Sequence, residues 1–338
     1  MTRVIRRVLG IESSCDETAV ALLEDGRRLL GNRVASQVEE HARFGGVVPE
    51  IASRQHLLAL FPLVDATLAD AGLGLEAVDA VAVTRAPGLI GALLVGISAA
   101  KALAYTLDVP LVGVNHLEGH LLAARLLDPA PEYPFLGLVV SGGHTALYRV
   151  EAGGCFTYLA GTRDDAAGEA FDKAAKIAGL GYPGGAVIDR LAKEGDPKAV
   201  PFPRGMGKKA TMDFSFSGLK TAFRERYLSR RWEGKDLADL CASFQEAIAD
   251  TLAKKTALAL RETGLGRLVV SGGVAANSRV RSRMTELARK EGAALFLPPL
   301  WLCGDNAAMI ALAGHERLMR GERDGFDLNA AASESRFS

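Results

Sequence analysis

The segment Leu9-Gly10-Ile11-Glu12-Ser13-Ser14 recurs as Leu136-Gly137-Leu138-Val139-Val140-Ser141, and the same offset lays Thr18-Ala19 on Thr145-Ala146 and Glu24 and Gly26 on Glu151 and Gly153. A chain repeated in this way folds as two similar units. Each copy reads as an apolar strand, a small polar turn, a second apolar strand and a third beyond the glycine, the pattern of a meander with glycine turns. Apolar residues recur at helical spacing over 49–71, and 88–107 is a small-residue helix suited to close packing. Residues 78–84 and 110–115 read as buried parallel strands, the second delivering the chain to His116. The expected class is therefore α/β, with two duplicated domains around a central cleft. One comprises residues 1–134 plus about 300–338 and carries candidate metal ligands; the other, 135–299, carries glycine-rich turns.

Composition narrows the function. The 338 residues, 49% of them hydrophobic, supply core enough for two domains. Forty basic against forty acidic residues create no global field for nucleic acid, so any RNA affinity must come from local patches or partner proteins. Cys15, Cys155, Cys241 and Cys303 lie far apart without a CxxC pair, which argues against a structural zinc cluster and a disulfide framework and fits a reducing cytoplasm. The basic N-terminus runs straight into a strand-like segment without an apolar leader. The longest apolar stretch, 89–107, is broken by glycines, Ser98 and Lys101, so no membrane span is expected.

His116 and His120, four apart, fall one turn apart on one face of a helix. That is half of a divalent-metal site. Cys303-Gly304-Asp305-Asn306 could add the Asp305 carboxylate, and two His with one Asp would leave a position for substrate. Taken alone, the pair is as readily two surface histidines. Ser141-Gly142-Gly143 and Ser271-Gly272-Gly273 each follow a Val-Val strand, where absent side chains let a phosphate approach the main chain. Asp172 lies beyond the first turn of its helix, where capping no longer explains it, and a carboxylate there can accept from ribose or substrate hydroxyls. The first strand turn, Glu12 to Thr18, concentrates carboxylates and hydroxyls. The stretch 204–235 interleaves nine basic residues with Phe214, Phe216, Phe223, Tyr227 and Trp232, either an RNA grip or a solvated helix with a buried aromatic stripe.

Together these motifs resemble the tRNA N6-adenosine threonylcarbamoyltransferase family, formerly labelled O-sialoglycoprotein endopeptidases, whose fold is that of actin, hexokinase and Hsp70. The likeness spans the chain through Gly10–Thr18, Gly46–Arg54, Asn115–His120, Ser141–Thr145, Asp165–Lys173 and Gly304–Asn306. It implies that His116, His120 and Asp305 bind one divalent ion, iron or zinc. It further implies that Val139, Val140, Ser141, Gly142, Gly143, Asp172, Gly185, Asp189 and Asn277 line a pocket for threonylcarbamoyl-AMP. The implied reaction moves the threonylcarbamoyl group to N6 of adenosine 37 in tRNA. The implied companions are a silent paralogue, a small ATPase and a separate synthase, with no membrane. Asp16 or Glu17, by their place at the first turn, are candidates to orient the amine or take its proton.

Two rival readings remain in view. A metallopeptidase is suggested by His-Leu-Glu-Gly-His, but HExxH puts its glutamate directly after the first histidine, whereas Glu118 sits two on and off the metal face. A kinase or ATPase on the same fold would use the glycine turns for ATP and leave the histidines incidental.

Overall fold

In a computed structural model, which describes residues 4–205 and 211–334, the chain divides into two compact units. The first comprises Met1–Ala130, Ala152–Cys155 and Asp305–Ser338, and the second Pro131–Glu151 and Phe156–Gly304. The first unit runs β1 (Arg7–Glu12), β2 (Glu17–Glu24), β3 (Arg28–Ser36), α1 (Val38–Ala42), α2 (Pro49–Ala71), β4 (Ala80–Ala86), α3 (Ile90–Leu107), β5 (Leu111–Asn115) and α4 (His116–Leu122). The second runs β6 (Phe135–Val140), β7 (Thr145–Glu151), β8 (Cys155–Gly161), α5 (Ala167–Ile177), α6 (Gly184–Ala192), α7 (Ser217–Ser229) and α8 (Gly234–Thr263). It continues through β9 (Arg267–Ser271), α9 (Ser278–Glu291), β10 (Ala294–Phe296) and α10 (Leu300–Cys303), before α11 (Ala307–Met319) returns to the first unit.

The duplication governs both sheets. Their strand orders, β3-β2-β1-β4-β5 and β10-β9-β6-β7-β8, are one topology read in opposite directions. β1 pairs antiparallel with β2 from Arg7↔Glu24 to Glu12↔Ala19 and parallel with β4; β6 pairs antiparallel with β7 from Phe135↔Val150 to Val140↔Thr145 and parallel with β9. The turns between β2 and β3 and between β7 and β8 need left-handed backbone, and the repeated glycines supply it: φ is +67° at Gly26 and +79° at Gly153.

Helix α2 starts with Pro49 at its first turn and stops at Gly72 in the left-handed conformation, as the sequence spacing predicts. Its buried face repeats every fourth residue through Ala52, His56, Leu60 and Val64. Helix α3 is the one described helix long and apolar enough to cross a bilayer, against the expectation that glycines, Ser98 and Lys101 break the stretch. Its Leu93, Ile97, Ala100 and Leu103 instead pack into the core of the first unit with Leu9, Ile11, Val81 and Val83 of the sheet.

On the opposite face, α11 lies so close to β1 that a Cβ at Gly10 would stand 2.5 Å from the Ala307 carbonyl oxygen and 2.7 Å from the Ala311 amide. Main chain cannot swing aside as a flexible side chain can. Gly10→Ala is therefore expected to destabilise the protein by about 1–3 kcal/mol through overpacking, read as a lower urea midpoint at unchanged m-value. An unchanged midpoint would show that the two elements can part without cost.

The aromatic members of 204–235 resolve the ambiguity of that stretch. Phe214, Phe216 and Phe223 have no exposed surface, and Trp232 only 8%. Phe223 meets Phe244 of α8 with ring centroids 4.9 Å apart, and the Tyr227 hydroxyl donates to the Ala178 carbonyl. These rings are core, and do not present faces to bases; Lys208 and Lys209 lie outside the described residues.

Candidate metal centre and glycine-turn residues

The Oδ1 of Asn115 accepts from the Leu117 amide at 2.9 Å, capping α4 so that the helix begins immediately where β5 ends. His116 and His120 therefore stand one turn apart, 5% and 0% exposed, with ring centroids 4.6 Å apart. Asp305 sits just before α11, whose start is fixed by the Asn306 side chain accepting from the Met309 amide at 3.0 Å. Its Oδ1 lies 3.4 Å from Nε2 of His116 and 3.2 Å from Nε2 of His120. One donor atom from each of the three residues falls within 4.8 Å of the others.

Behind His116 stands Glu12, a fully buried carboxylate at the end of β1. Its Oε2 lies 2.8 Å from His116 Nδ1 and accepts from the Thr84 hydroxyl at 2.7 Å, while Oε1 accepts from the Ser14 amide at 2.5 Å. A carboxylate on Nδ1 fixes the ring and turns Nε2 toward Asp305, as carboxylates do behind metal-binding histidines. Burial alone would raise both acids. For Glu12 the charge and hydrogen bond of His116 outweigh it, and for Asp305 those of His116 and then His120 do, holding Asp305 well below the ordinary carboxylate range. Burial pulls the other way at His116, yet Asp305 and Glu12 on its two sides lift it well above the usual histidine value. Burial prevails at His120, which is lowered.

Two carboxylates flanking one imidazole call for a positive charge between them, which a proton supplies and a divalent cation would supply by replacing it. The residues fit such an ion. The donor set is two borderline nitrogens and one oxygen, and the Nδ1 of His120 is buried without a hydrogen-bond partner.

Glu118, which a peptidase reading would make a base, is 1% exposed and accepts from Nη1 of Arg317 on α11 at 3.1 Å. It ties the histidine helix to the helix that follows Asp305. Asp16 and Glu17 occupy the turn into β2, half-buried. Burial pushes Glu17 up to about 7, against a hydrogen bond from the Ser36 hydroxyl, and its Oε2 is buried with no partner. The turn is braced by His56, whose Nε2 lies 3.0 Å from the Cys15 carbonyl oxygen and whose Nδ1 lies 2.7 Å from the Thr18 hydroxyl. Sequence reasoning missed both Glu12 as the partner of His116 and His56 as this brace. The four-residue periodicity of α2 is the one signal that marks His56 as inward-facing.

In the second unit, Val139 and Val140 are fully buried within β6, so the turn after them presents the accessible surface. A Cβ at Gly142 or Gly143 would meet nothing within 4 Å, whereas one at Gly272, with φ +93°, would stand 2.4 Å from the Val140 carbonyl oxygen. The Ser141–Gly142 turn also accepts from the first amides of α5, Gly168 to Ser141 at 3.2 Å and Glu169 to Gly142 at 3.1 Å. Asp172 accepts from the Gly184 amide at 2.8 Å, beside Gly185 at the start of α6. Asp189 accepts from the Ser278 hydroxyl at 2.6 Å, and Asn277 caps α9 and donates to Gln245 at 2.7 Å. The candidate residues of this unit are thus linked by short contacts from α5 through α6 to α9 (Asp172 to α6, Asp189 to α9), and Asp189 and Asn277 have capping roles of their own.

A duplicated meander extended by parallel strands, bearing a buried two-histidine, one-carboxylate cluster in one copy and glycine turns in the other, defines a member of the actin, hexokinase and Hsp70 fold class with a candidate metal site. Solved structures agree on the fold. Full-length HypF in a phosphate- and nucleotide-bound form superposes with TM-score 0.62 at 12% identity, over 95% of this chain and 47% of that one. Component A of (R)-2-hydroxyglutaryl-CoA dehydratase from Acidaminococcus fermentans superposes with TM-score 0.56 at 17% identity, over 93% and 99%.

The chain belongs to the tRNA N6-adenosine threonylcarbamoyltransferase family, whose model matches residues 28–312. It is 59% identical over 326 residues to the tRNA N6-adenosine threonylcarbamoyltransferase of Anaeromyxobacter dehalogenans, covering 96% of this chain and 98% of the relative. The enzyme of the same name from Syntrophus aciditrophicus is 54% identical over 327 residues, with 96% of each chain covered.

Proposed function

We propose that this protein is the acyltransferase that moves the threonylcarbamoyl group of threonylcarbamoyl-AMP to N6 of adenosine 37 in tRNAs reading codons that begin with adenine. The observation that carries the reading is the convergence of His116, His120 and Asp305 in a chain this similar to enzymes named for that transfer. Adenine N6 is a weak nucleophile because its lone pair is delocalised into the ring, so the carbamoyl carbonyl of the donor must be activated and the amine proton removed. A divalent ion held by His116, His120 and Asp305, iron or zinc by the likeness to the family, would supply Lewis-acid polarisation. The Ser141–Gly143 turn, with Gly185 beyond it, offers main chain to the adenylate phosphate, and Asp172, Asp189 and Asn277 meet its polar groups. Val139 and Val140 support that turn from within the sheet.

The C–N bond forms between N6 and the carbamoyl carbon, AMP leaves, and Glu17 takes the amine proton, with Asp16 beside it orienting the amine. A carboxyl raised to about 7 is matched to that task at neutral pH. Because Glu17 acts as a base only when ionised, the transfer rate is expected to rise as pH climbs through about 7, and Glu17→Gln to abolish that rise along with about 10²-fold or more of the rate. A Glu17→Gln profile identical to the parent would remove Glu17 from the chemistry.

The companions are a silent paralogue and a small ATPase. The exposed apolar run Leu57, Leu58 and Phe61 on α2 is surface suited to such docking. Four free thiols and a tRNA substrate suit the cytoplasm. The reading is tested by single-turnover transfer from threonylcarbamoyl-AMP to unmodified tRNA, with the digested nucleosides weighed by mass spectrometry. Modified adenosine should form only with the protein present; cleavage of a glycoprotein in place of transfer would favour the peptidase.

A further inference from the structure

We propose that a basic cavity on the second unit binds a phosphodiester of the RNA substrate, away from the residues assigned to chemistry. The cavity, about 270 Å³, is lined by Arg204, Thr251, Lys254, Lys255 and Arg261 among others, and no carboxylate lines it among the described residues. Thr251, Lys254, Lys255 and Arg261 share one face of α8, and Arg204 approaches from the chain before α7.

Four cations line one small cavity, of which Arg204 and Arg261 are paired with Asp250 and Glu291 and the two lysines carry the remaining positive charge. The two guanidiniums are held in place from behind. Arg204 donates to Asp250 at 3.0 Å, a carboxylate that also accepts from Arg283 at 2.6 Å, and Arg261 pairs with Glu291 outside the cavity lining. Lys255 is only 5% exposed and donates to the neutral carbonyl oxygen of Thr211 at 2.6 Å. Burial lowers its affinity for a proton, against the opposing pull of the Asp213 charge. The guanidinium N–H groups left over from these ion pairs, together with the exposed Lys254 ammonium, can meet the oxygens of a phosphate, and a contact of that kind positions RNA without reading its sequence. Of the described basic residues in 204–235, Arg204 is the one that lines this cavity.

The inference rests on the proposed tRNA substrate and is tested without measuring transfer. Equilibrium binding of unmodified tRNA to the full chain is titrated with KCl for the parent and for Lys254→Ala, an exposed position whose melting curve serves as the folding control. Loss of one phosphate contact should make the plot of log affinity against log salt shallower by about 0.7–0.9 and weaken binding about five-fold near 0.1 M salt, for substrate and non-substrate tRNAs alike. An unchanged slope and affinity in a folded Lys254→Ala protein would overturn the inference. So would inorganic phosphate binding that this variant loses while its tRNA slope stays at the parent value, since the cavity would then serve a free phosphate compound. A chain that shows the slope change yet forms no modified nucleoside contradicts the proposed function and leaves the RNA contact standing.

Discussion

His120→Ala is expected to weaken binding of a divalent cation by at least about 100-fold and to reduce threonylcarbamoyl transfer by a similar factor. Changes to groups that merely orient a ligand cost 10–100-fold, and this substitution removes a donor itself. His120 is fully buried, its Nε2 is 3.2 Å from Asp305, and burial keeps it in the neutral form that can donate a lone pair. Glu12→Gln is the graded companion. It retains the size of the group behind His116 and removes its charge, so cation affinity should fall by about 10–100-fold with less loss of fold. Competition against a chelating dye reads both. A His120→Ala protein that is folded and holds the cation as tightly as the parent would remove this residue from the ligand set.

Arg317→Ala is expected to destabilise the fold by about 3 kcal/mol, because it removes the partner of a carboxylate that is 1% exposed. The other oxygen of that carboxylate, Glu118 Oε1, already has no hydrogen-bond partner. The estimate is at the low end for a broken buried pair, since burial has raised Glu118 and protonation offers partial relief. A drop in melting temperature of roughly 6–12 °C corresponds to it. The pH dependence has a definite sign. An acid raised in the folded state contributes fully below its unfolded value near 4.5, and its contribution is lost as pH rises through the raised folded value. The variant should therefore weaken steadily from acid toward neutral pH, and adding Glu118→Gln should flatten that slope and recover part of the melting temperature. A variant as stable as the parent across this range would show that the pair does not fasten α4 to α11.

The sheets were readable because the repeat exposes them twice, and continuous apolar strands parted by matching glycine turns leave few other foldings. Helix α2 was readable because proline and glycine mark its ends. Of the metal centre, the two histidines announce themselves by spacing, and Asp305 by its polar setting before a helix. What stands behind them was not readable. Glu12 meets His116 across 104 positions and Glu118 meets Arg317 across 199, and nothing local in either pair distinguishes a buried partner from a surface charge. The same holds for Asp189, whose capping of α9 spans 89 positions. The aromatic stretch between 204 and 235 was ambiguous for a different reason: stacking faces and core faces have the same composition, and packing alone decides between them.

The proposed acyl transfer to tRNA needs one cation, held by two nitrogens of α4 and the carboxylate ahead of α11. Metal-stripped protein titrated with ferrous or zinc ion, with modified nucleoside formed per minute as the readout, tests it most directly. Activity should be absent at the start, rise to a plateau at one equivalent, and fail to return in His116→Ala or Asp305→Ala at any addition. Full activity in the stripped protein, or a plateau reached equally by those variants, would contradict it.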